Sequence, residues 1–485
     1  TEEKAFAETI TCNYMMENPL LWSAEEPHLY DLTVEIYDAD GKLQEVIPEK
    51  VGFRRFELKD GLMLINGKRI VFKGANRHEF SSVSGRVVSE AELRKDLMIM
   101  KQNNINAIRM SHYPNTSLIY KLCDEYGFYV IDETNLETHG LWDIAEFTKD
   151  FTYTLPHNKM EWLDMLLDRA NSMYQRDKNH PAIIIWSCGN EAFGGKVIYE
   201  MSQFFRSVDK NRLVHYEGLF HDRSYNETSD MESQMYPSVK MIKDFLAKDR
   251  SKPFICCEYC HTMGNSGGGL SKYTDLTDEE PLYQGGFIWD YIDQALYNEK
   301  GELSYGGDFD DRGSDYGFCT NGIVYADRTP SPKAQEAKAL YANVKLSLEN
   351  GILTVKNRNL FTDTSYVTFE VSLEKEGTVL STETHSLTVL PGEEGTLQTT
   401  LPLPRKAGEY VLTASALLKE RTPWAEAGHE ISFCQEVFTV EGEKEEPTLP
   451  RPTLIRGNMI SGVRGEGFSV QFDKREGGIS SLVYG

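Results

Sequence analysis

Residues 182–191, AIIIWSCGNE, place a short apolar run directly before polar side chains, and this arrangement recurs through the middle of the chain. Eight such runs alternate with segments of helical periodicity between about residues 57 and 343. They are RIVFKG (69–74), NAIRMS (106–111), FYVIDET (128–134), AIIIWSC (182–188), RLVHYE (212–217), ESQMY (232–236), PFICCEY (253–259) and GGFIWDY (285–291). Eight strands that alternate with helices over this length predict a (β/α)8 barrel, or TIM barrel. The alternative is a doubly wound sheet, which is disfavoured because no G-x-G-x-x-G turn follows RIVFKG.

Helix signals lie between the predicted strands. Ser89-x-x-Glu92 is a capping box before ELRKDLMIMKQ, in which Leu93 and Leu97 fall on one helical face. Gly127 supplies a helix C-cap and is followed at once by the next strand. These signals support the alternation of helices and strands that a barrel requires.

The segments on both sides of the predicted barrel alternate apolar and polar residues with a period of two, which is typical of antiparallel sheets. Asp40-Gly41 and Asn350-Gly351 are hairpin signals within them. The predicted domains are the C-terminal part of an immunoglobulin-like β-sandwich (1–56), the TIM barrel (57–343), a β-sandwich (344–441), a linker (442–454) and the beginning of a C-terminal β-sandwich domain (455–485). We therefore expect a multidomain α/β and all-β chain that is truncated at both ends.

The composition excludes several classes of function. The 485 residues include 51 Lys and Arg against 75 Asp and Glu, so the formal net charge is −24. This balance disfavours nucleic acids and anionic membrane surfaces as partners, because binding them requires concentrated positive charge. The chain has no run of about 18 apolar residues, so no transmembrane helix is expected. The eight scattered cysteines do not form a disulfide framework, and the expected location is the reducing cytoplasm.

Polar side chains follow most of the predicted strands at their carboxyl ends, where a TIM barrel carries its active site. Glu191 and Glu258 end the fourth and seventh strands, which face each other across a barrel. Retaining glycoside hydrolysis needs two carboxyl groups about 5–5.5 Å apart. One of them is protonated and donates its proton to the leaving oxygen, and the other is ionised and attacks the anomeric carbon of the sugar. The pair therefore predicts hydrolysis of a glycosidic bond.

Neighbouring residues on the same rim suit a sugar substrate. Asn190 is placed to hydrogen-bond a sugar 2-hydroxyl, and Trp289 offers a flat apolar face for a sugar ring. Arg109 and Tyr236 are placed to donate hydrogen bonds to the oxygens of Glu258, which would keep this carboxylate ionised.

Two further patterns have a metal-binding and a plain structural interpretation. Glu137-x-His139, together with Glu191, has ligands for a hard cation, although hydrogen bonding to hydroxyl groups explains such side chains as well. Cys257-x-x-Cys260 matches a redox or zinc spacing, but no second pair accompanies it. We expect these cysteines to be reduced packing residues, which disfavours a zinc or cysteine hydrolase.

Long blocks of the sequence closely resemble glycoside hydrolase family 2, and within it the lac-type β-galactosidase branch. The blocks are NPLLWSAEEPHLYDL (18–32), VGFRRFELKDGLMLINGKRIVFKGANRHE (51–79), MKQNNINAIRMSHYPN (100–115), YVIDETNLETHG (129–140), QRDKNHPAIIIWSCGNE (175–191), FICCEYCHTMGNS (254–266), GGFIWDYIDQ (285–294) and FCTNGIVYADRTP (318–330). The resemblance spans nearly the whole chain and is tightest from about residue 18 to 342.

The resemblance implies a role for each matching residue. The catalytic residues are Glu191 as acid/base, Glu258 as nucleophile, and His78 and His112 near the transition state. The substrate-binding residues are Asn190, Tyr236, His261, Trp289, Asn321 and Arg109. The Mg²⁺ ligands are Glu137, His139 and Glu191, and the Na⁺ ligands are Asn321 and the backbone oxygen of Phe318. A third Na⁺ ligand belongs in this family to an amino-terminal domain that the chain lacks, so the Na⁺ site is expected to be incomplete.

The expected function is that of a retaining β-galactosidase, which hydrolyses terminal non-reducing β-D-galactosides such as lactose. The expected partner is this small-molecule substrate, and the full-length protein is expected to be a homo-oligomer. A β-glucuronidase or β-mannosidase of the same family is the nearest alternative. A sugar-binding fragment without turnover is the second.

Overall fold

The computed structural model describes residues 10–311, 313–402, 404–442 and 450–485. The first nine residues of the predicted first domain and most of the predicted linker, 443–449, lie outside the described residues. The chain divides into two compact units. One consists of Thr1–Leu373, Val379–Leu401 and Leu412–Glu436, and the other of Glu374–Thr378, Pro402–Val411 and Val437–Gly485.

The chain before the barrel forms two small antiparallel sheets. Strands β1 (Tyr30–Tyr37) and β2 (Leu43–Val51) pair around the predicted turn, in which Gly41 has a φ of 77°. Strands β3 (Phe56–Lys59), β4 (Leu62–Ile65) and β5 (Lys68–Arg69) form a three-stranded sheet that precedes the first barrel strand. Sequence analysis did not separate this second sheet from the barrel.

Eight parallel strands form the predicted barrel. They are β6 (Phe72–Arg77), β7 (Ala107–Met110), β8 (Tyr129–Glu133), β9 (Ile183–Ser187), β10 (Leu213–His215), β11 (Glu232–Met235), β12 (Phe254–Tyr259) and β13 (Tyr283–Ile288). Their ladder runs in the order β10-β9-β8-β7-β6-β13-β12-β11. Between β10 and β11, Asp230 donates its N–H to the Val214 carbonyl at 2.8 Å and accepts the Val214 N–H at 2.7 Å. These bonds join the two ends of the ladder, and the predicted TIM barrel is confirmed.

Helices follow the barrel strands. They are α1 (Glu90–Gln102), α2 (Ser117–Tyr126), α3 (His139–Thr148), α4 (Leu163–Asp177), α5 (Lys196–Val208), α6 (Val239–Leu246), α7 (Leu270–Glu279) and α8 (Pro332–Tyr341). Both halves of the Ser89–Glu92 capping box are present at α1, and Gly127 ends α2 with a φ of 76°. In the described part of the chain, we find no helix with the length and apolar character needed to cross a membrane.

The barrel core is built from strands whose side chains are buried on both faces. Every residue of β7, β8, β9, β12 and β13 is buried. This burial is expected of a parallel sheet covered by helices. The charged and polar residues at the carboxyl ends of these strands are therefore held inside a closely packed scaffold.

The rest of the chain is all-β. A short hairpin, β14 (Leu296–Tyr297) and β15 (Leu303–Ser304), follows the barrel strands. The next strands are β16 (Val344–Glu349), β17 (Ile352–Asn357), β18 (Val367–Lys375), β19 (Thr378–His385), β20 (Glu394–Gln398), β21 (Gly408–Leu418) and β22 (Glu430–Val440). They form sheets in the orders β16-β17-β20 and β19-β18-β21-β22. The last sheet contains β23 (Thr453–Arg456), β24 (Ile460–Gly465), β25 (Phe468–Asp473) and β26 (Gly478–Tyr484). The predicted class, a central barrel with all-β regions, is confirmed.

Candidate active site

Arg109, near the end of β7, is the centre of the polar cluster inside the barrel mouth. Its side chain is fully buried and donates to four residues. Nε and Nη2 bond the two oxygens of Glu133 at 2.8 and 3.1 Å. Nη1 bonds Asn76 at 3.1 Å and Glu258 at 2.9 Å, and Nη2 also bonds Asn190 Oδ1 at 2.8 Å. All five guanidinium N–H groups are thus used.

Glu258, at the carboxyl end of β12, has a hydrogen-bond donor on each of its oxygens. Oε1 accepts from Arg109, and Oε2 accepts from the Tyr236 hydroxyl at 2.6 Å. The side chain is only 5 % exposed. Burial, and then the charge of Glu258, raises the pKa of Tyr236, so this hydroxyl keeps its proton. Two donors on a buried carboxylate stabilise its ionised form.

Glu191 lies in a different electrostatic environment. Burial is the largest cause that raises the pKa of Glu191, to about 9, and the carboxylates of Glu258, Glu217 and Glu137 add to it. The backbone N–H of Glu191 donates to Glu217 Oε1 at 2.6 Å. Burial also raises the pKa of Glu217, to about 8. Glu191 therefore has a raised pKa among neighbouring carboxyl groups, whereas Glu258 has a hydrogen-bond donor on each oxygen.

An aromatic wall borders Glu258. The rings of His112 and Trp289 are stacked, with centroids 5.2 Å apart, and His78 contacts both rings edge-on at 5.5 Å. Burial lowers the pKa of both histidines to about 3. His112 is therefore neutral and donates its Nδ1–H to Glu133 at 2.8 Å. The wall thus presents uncharged rings to the site.

Glu191 and two other potential metal ligands lie close together. Ligand atoms of Glu137, His139 and Glu191 all lie within 4.8 Å of one another, and His139 Nδ1 is 2.7 Å from Glu191 Oε2. Two carboxylates and one imidazole form a donor set that fits a hard divalent cation.

Asn321 and Phe318 follow the last barrel strand. Asn321 is buried, and its Oδ1 has no hydrogen-bond partner in the described part of the chain, which leaves one oxygen ligand available for a cation. The half-exposed ring of Phe318 contacts the ring of His261 edge-on at 6.1 Å. His261 also lies 5.7 Å from the Tyr236 ring, so it belongs to the same rim.

Three residues of the cluster were not selected in the sequence analysis. Glu133 joins Arg109, His112 and Ser187, whose hydroxyl donates to Oε2 at 2.8 Å. Asn76 donates to the backbone carbonyl of Cys257 at 2.9 Å. Glu133 and Asn76 lie at the ends of barrel strands, and this position could have identified them as candidate site residues. Glu217 also follows a predicted strand, but its contact with the Glu191 N–H depends on a chain turn that sequence spacing does not reveal.

The cysteines agree with the sequence expectation. All eight are free thiols, and Cys257 is buried in β12. Burial raises the pKa of Cys260 to about 12, so this thiol is protonated near neutral pH.

Family models match most of the chain. The model described as "Glycosyl hydrolases family 2, TIM barrel domain" matches residues 56–346. The chain belongs to glycosyl hydrolases family 2. A second family 2 model matches residues 1–54, and a model described as "Beta-galactosidase, domain 4" matches residues 353–439.

Curated relatives agree with the family 2 assignment. A protein named beta-galactosidase from Halalkalibacterium halodurans is 51% identical over 98% of this chain and 47% of its own length. A beta-galactosidase from Clostridium acetobutylicum is 46% identical over 100% of this chain and 54% of its own. The chain thus spans about half the length of the curated relatives it matches.

A solved structure supports the fold of this family 2 chain. The Ruminococcus gnavus beta-glucuronidase in complex with uronic isofagomine matches with a TM-score of 0.54 and 22% identity. The match covers 66% of this chain and 58% of that one.

Replacing Arg109 by methionine is expected to destabilise the family 2 barrel by about 3–5 kcal/mol, because two buried carboxylates, Glu133 and Glu258, lose their counter-ion. The matched control is Arg94→Met, since Arg94 is 40 % exposed and its ion pairs are with the surface residues Glu90 and Glu125. Its expected loss is within about 0.5 kcal/mol. Urea unfolding followed by circular dichroism measures both. Similar losses in the two variants would contradict the central role of Arg109.

Proposed function

We propose that this chain carries the catalytic site of a retaining β-galactosidase that hydrolyses terminal non-reducing β-D-galactosides such as lactose. The observation that carries the proposal is that the guanidinium of Arg109 binds residues at both halves of the site. Arg109 holds Glu258 through Nη1 and Asn190, the neighbour of Glu191, through Nη2. The two candidate carboxyl groups thereby belong to one polar cluster, in which Glu258 accepts hydrogen bonds from Arg109 and Tyr236 and the pKa of Glu191 is raised. Double displacement requires one attacking carboxylate and one proton-donating carboxyl group.

In the first proposed step, Glu258 attacks the anomeric carbon as the bond to the leaving oxygen breaks. Glu191 gives its proton to that oxygen. The raised pKa of Glu191 keeps this carboxyl group protonated near neutral pH before the step. The products are the free aglycone alcohol and a galactosyl ester of Glu258. As charge leaves Glu258, Arg109 remains neutralised by Glu133.

In the second proposed step, water hydrolyses the galactosyl ester of Glu258. Glu191, now ionised, takes a proton from the water, whose oxygen attacks the anomeric carbon. The ester bond breaks, Glu258 recovers its charge together with the hydrogen bonds from Arg109 and Tyr236, and galactose leaves with its configuration retained.

The wall beside Glu258 is the proposed sugar subsite. Trp289 and the neutral His112 and His78 rings offer apolar faces and uncharged ring nitrogens to the hydroxyl groups. Asn190 has its carbonyl oxygen bound by Arg109, so its NH₂ end is the one available to a 2-hydroxyl. His261 borders the same subsite.

The proposed substrate is neutral rather than a glucuronide. Glu191, Glu258, Glu133 and Glu217 surround the site, and the guanidinium of Arg109 has no donor left for a substrate carboxylate. The relatives with 46–51% identity carry the name beta-galactosidase, whereas the glucuronidase match at 22% identity bears on the fold alone.

Magnesium is the proposed cofactor. Glu137, His139 and Glu191 would hold it, since their ligand atoms cluster within 4.8 Å. A divalent cation there supplies positive charge that tunes the acidity and orientation of Glu191. Asn321 Oδ1 and the Phe318 carbonyl are the proposed Na⁺ ligands of this chain.

A 2-deoxy-2-fluoro-β-galactoside with a dinitrophenolate leaving group is expected to label Glu258, because the fluorine slows both steps and the intermediate accumulates. Intact mass and peptide mapping locate the label. Glu258→Gln is the matched control and should remain unlabelled. The corresponding gluco-, manno- and glucurono-configured reagents run in parallel. A label at another residue, or a faster reaction with another sugar, would contradict the proposal.

Glu191→Gln is expected to lower kcat/KM by about 10²–10⁴-fold for alkyl galactosides, since their leaving oxygen needs the proton. The loss in the first chemical step should be much smaller for dinitrophenyl galactoside. The control Glu161→Gln changes an exposed carboxyl that is not among the site residues and should behave as wild type. Equal losses for both leaving groups would contradict the acid role of Glu191.

Metal binding by the trio is expected to depend on His139. Mn²⁺, used as a paramagnetic probe for the Mg²⁺ site, should bind His139→Ala at least about tenfold more weakly than wild type. Electron paramagnetic resonance of free Mn²⁺ measures this without reference to activity. His28→Ala, a half-exposed histidine outside the cluster, is the control. Unchanged affinity in His139→Ala would contradict the assignment.

A further inference from the structure

A cavity of about 560 Å³ lies at the end of the barrel opposite the candidate active site. Its lining includes Arg69, Val71 and Lys73 around the start of β6, Asn104 to Asn106 before β7, and Tyr129 at the start of β8. Residues of the following β region line it as well, among them Lys356, Arg358, Thr362 and Trp424. This volume is typical of small-molecule sites. The mechanism proposed above uses none of these residues.

The charge of the cavity lining is opposite to that of the chain as a whole. Its cations are Arg69, Lys73, Lys101, Lys356 and Arg358, and its carboxylates are Glu25 and Asp278. The lining therefore has three more positive than negative groups in a chain whose formal net charge is −24. Such an excess inside a concave surface concentrates a potential that attracts anions.

The two carboxylates do not neutralise the lysines directly. Glu25 accepts backbone N–H groups from Leu360 and Phe361, each at 2.8 Å, and Asp278 is paired with Arg358. Lys73 and Lys101 form no ion pair within 4.0 Å among the described residues. Lys73 donates to the Tyr341 carbonyl at 2.9 Å and to Asn343, and Lys101 donates to the Ala24 carbonyl at 2.8 Å.

The pKa values of these two lysines are consistent with a site that binds an anion. Burial, followed by repulsion from Lys345 and Arg358, lowers the pKa of Lys73 to about 7. Burial lowers the pKa of Lys101 to about 8. A bound anion would offset both the desolvation and the repulsion.

Two residues of the lining also carry buried polar atoms. Arg358 Nε and the Thr362 hydroxyl have no partner in the part of the chain that the structure describes. Buried polar atoms without a partner are uncommon in proteins. We propose that this cavity is a second binding site, for a small phosphate-bearing molecule whose phosphate binds between Lys73, Lys101 and Arg358. A phosphate group suits a site with three excess positive charges, because its oxygens accept charge-assisted hydrogen bonds from lysine and arginine.

The test uses inorganic phosphate as the probe on the purified chain at pH 6.5, where the lysines are protonated. Isothermal titration calorimetry and the midpoint of thermal unfolding are measured in potassium phosphate and in potassium chloride of equal ionic strength. We expect phosphate to bind and to raise the midpoint above the chloride value. Without binding heat and without a phosphate-specific rise, the proposal is wrong.

Variants locate the phosphate. Lys73→Met and Lys101→Met should each weaken phosphate binding about tenfold or more, because each variant loses one charge-assisted hydrogen bond. Lys356→Gln, at an exposed position of the lining, keeps the buried packing and should weaken binding less. Lys240→Met removes an exposed lysine that pairs only with Asp244, and it should leave binding unchanged. Wild-type affinity in Lys73→Met, Lys101→Met and Lys356→Gln would overturn the proposal.

Discussion

The buried guanidinium of Arg109 is the constraint on which the carboxyl end of the barrel depends. Several acidic side chains enter a closely packed interior there, and their mutual repulsion would oppose folding without a cation among them. Arg109 binds Glu133 through two donors and Glu258 through a third. Glu133 in turn fixes His112 and Ser187. The chain thus stabilises the fold and orders the candidate site with the same set of bonds.

The two ends of the barrel deal with buried charge in opposite ways. At the carboxyl end, acidic groups outnumber the cation, and the excess is relieved by the protonation preference of Glu191 and Glu217. At the amino end, cations outnumber acids in the cavity lining, and burial lowers the pKa of Lys73 and Lys101. A proton relieves the first excess and serves acid catalysis in the proposed function. An anion would relieve the second.

Sequence reasoning was strongest where a property depends on neighbours along the chain. The barrel could be predicted because its strands are buried on both faces, so each one is a short apolar run, and its capping box and glycine C-cap are local signals. The trio Glu137, His139 and Glu191 could be proposed from spacing at two strand ends. The contact of Glu217 with the Glu191 N–H could not, since it depends on how two loops meet. The cavity with Lys73 and Lys101 was missed for the same reason, because its lining comes from segments hundreds of residues apart.

Two glutamates of identical chemistry acquire different proposed roles because one guanidinium has a limited number of donors. Arg109 has five N–H groups, and Glu133, Asn76, Asn190 and Glu258 use all of them. Arg109 Nη2 donates to Asn190 Oδ1, and among the described residues Arg109 forms no hydrogen bond to Glu191. Glu258 accepts hydrogen bonds from Arg109 and Tyr236, whereas burial and the neighbouring carboxylates raise the pKa of Glu191. The proposed assignment of nucleophile and acid therefore rests on the way in which Arg109 distributes its donors, which includes the amide oxygen of Asn190.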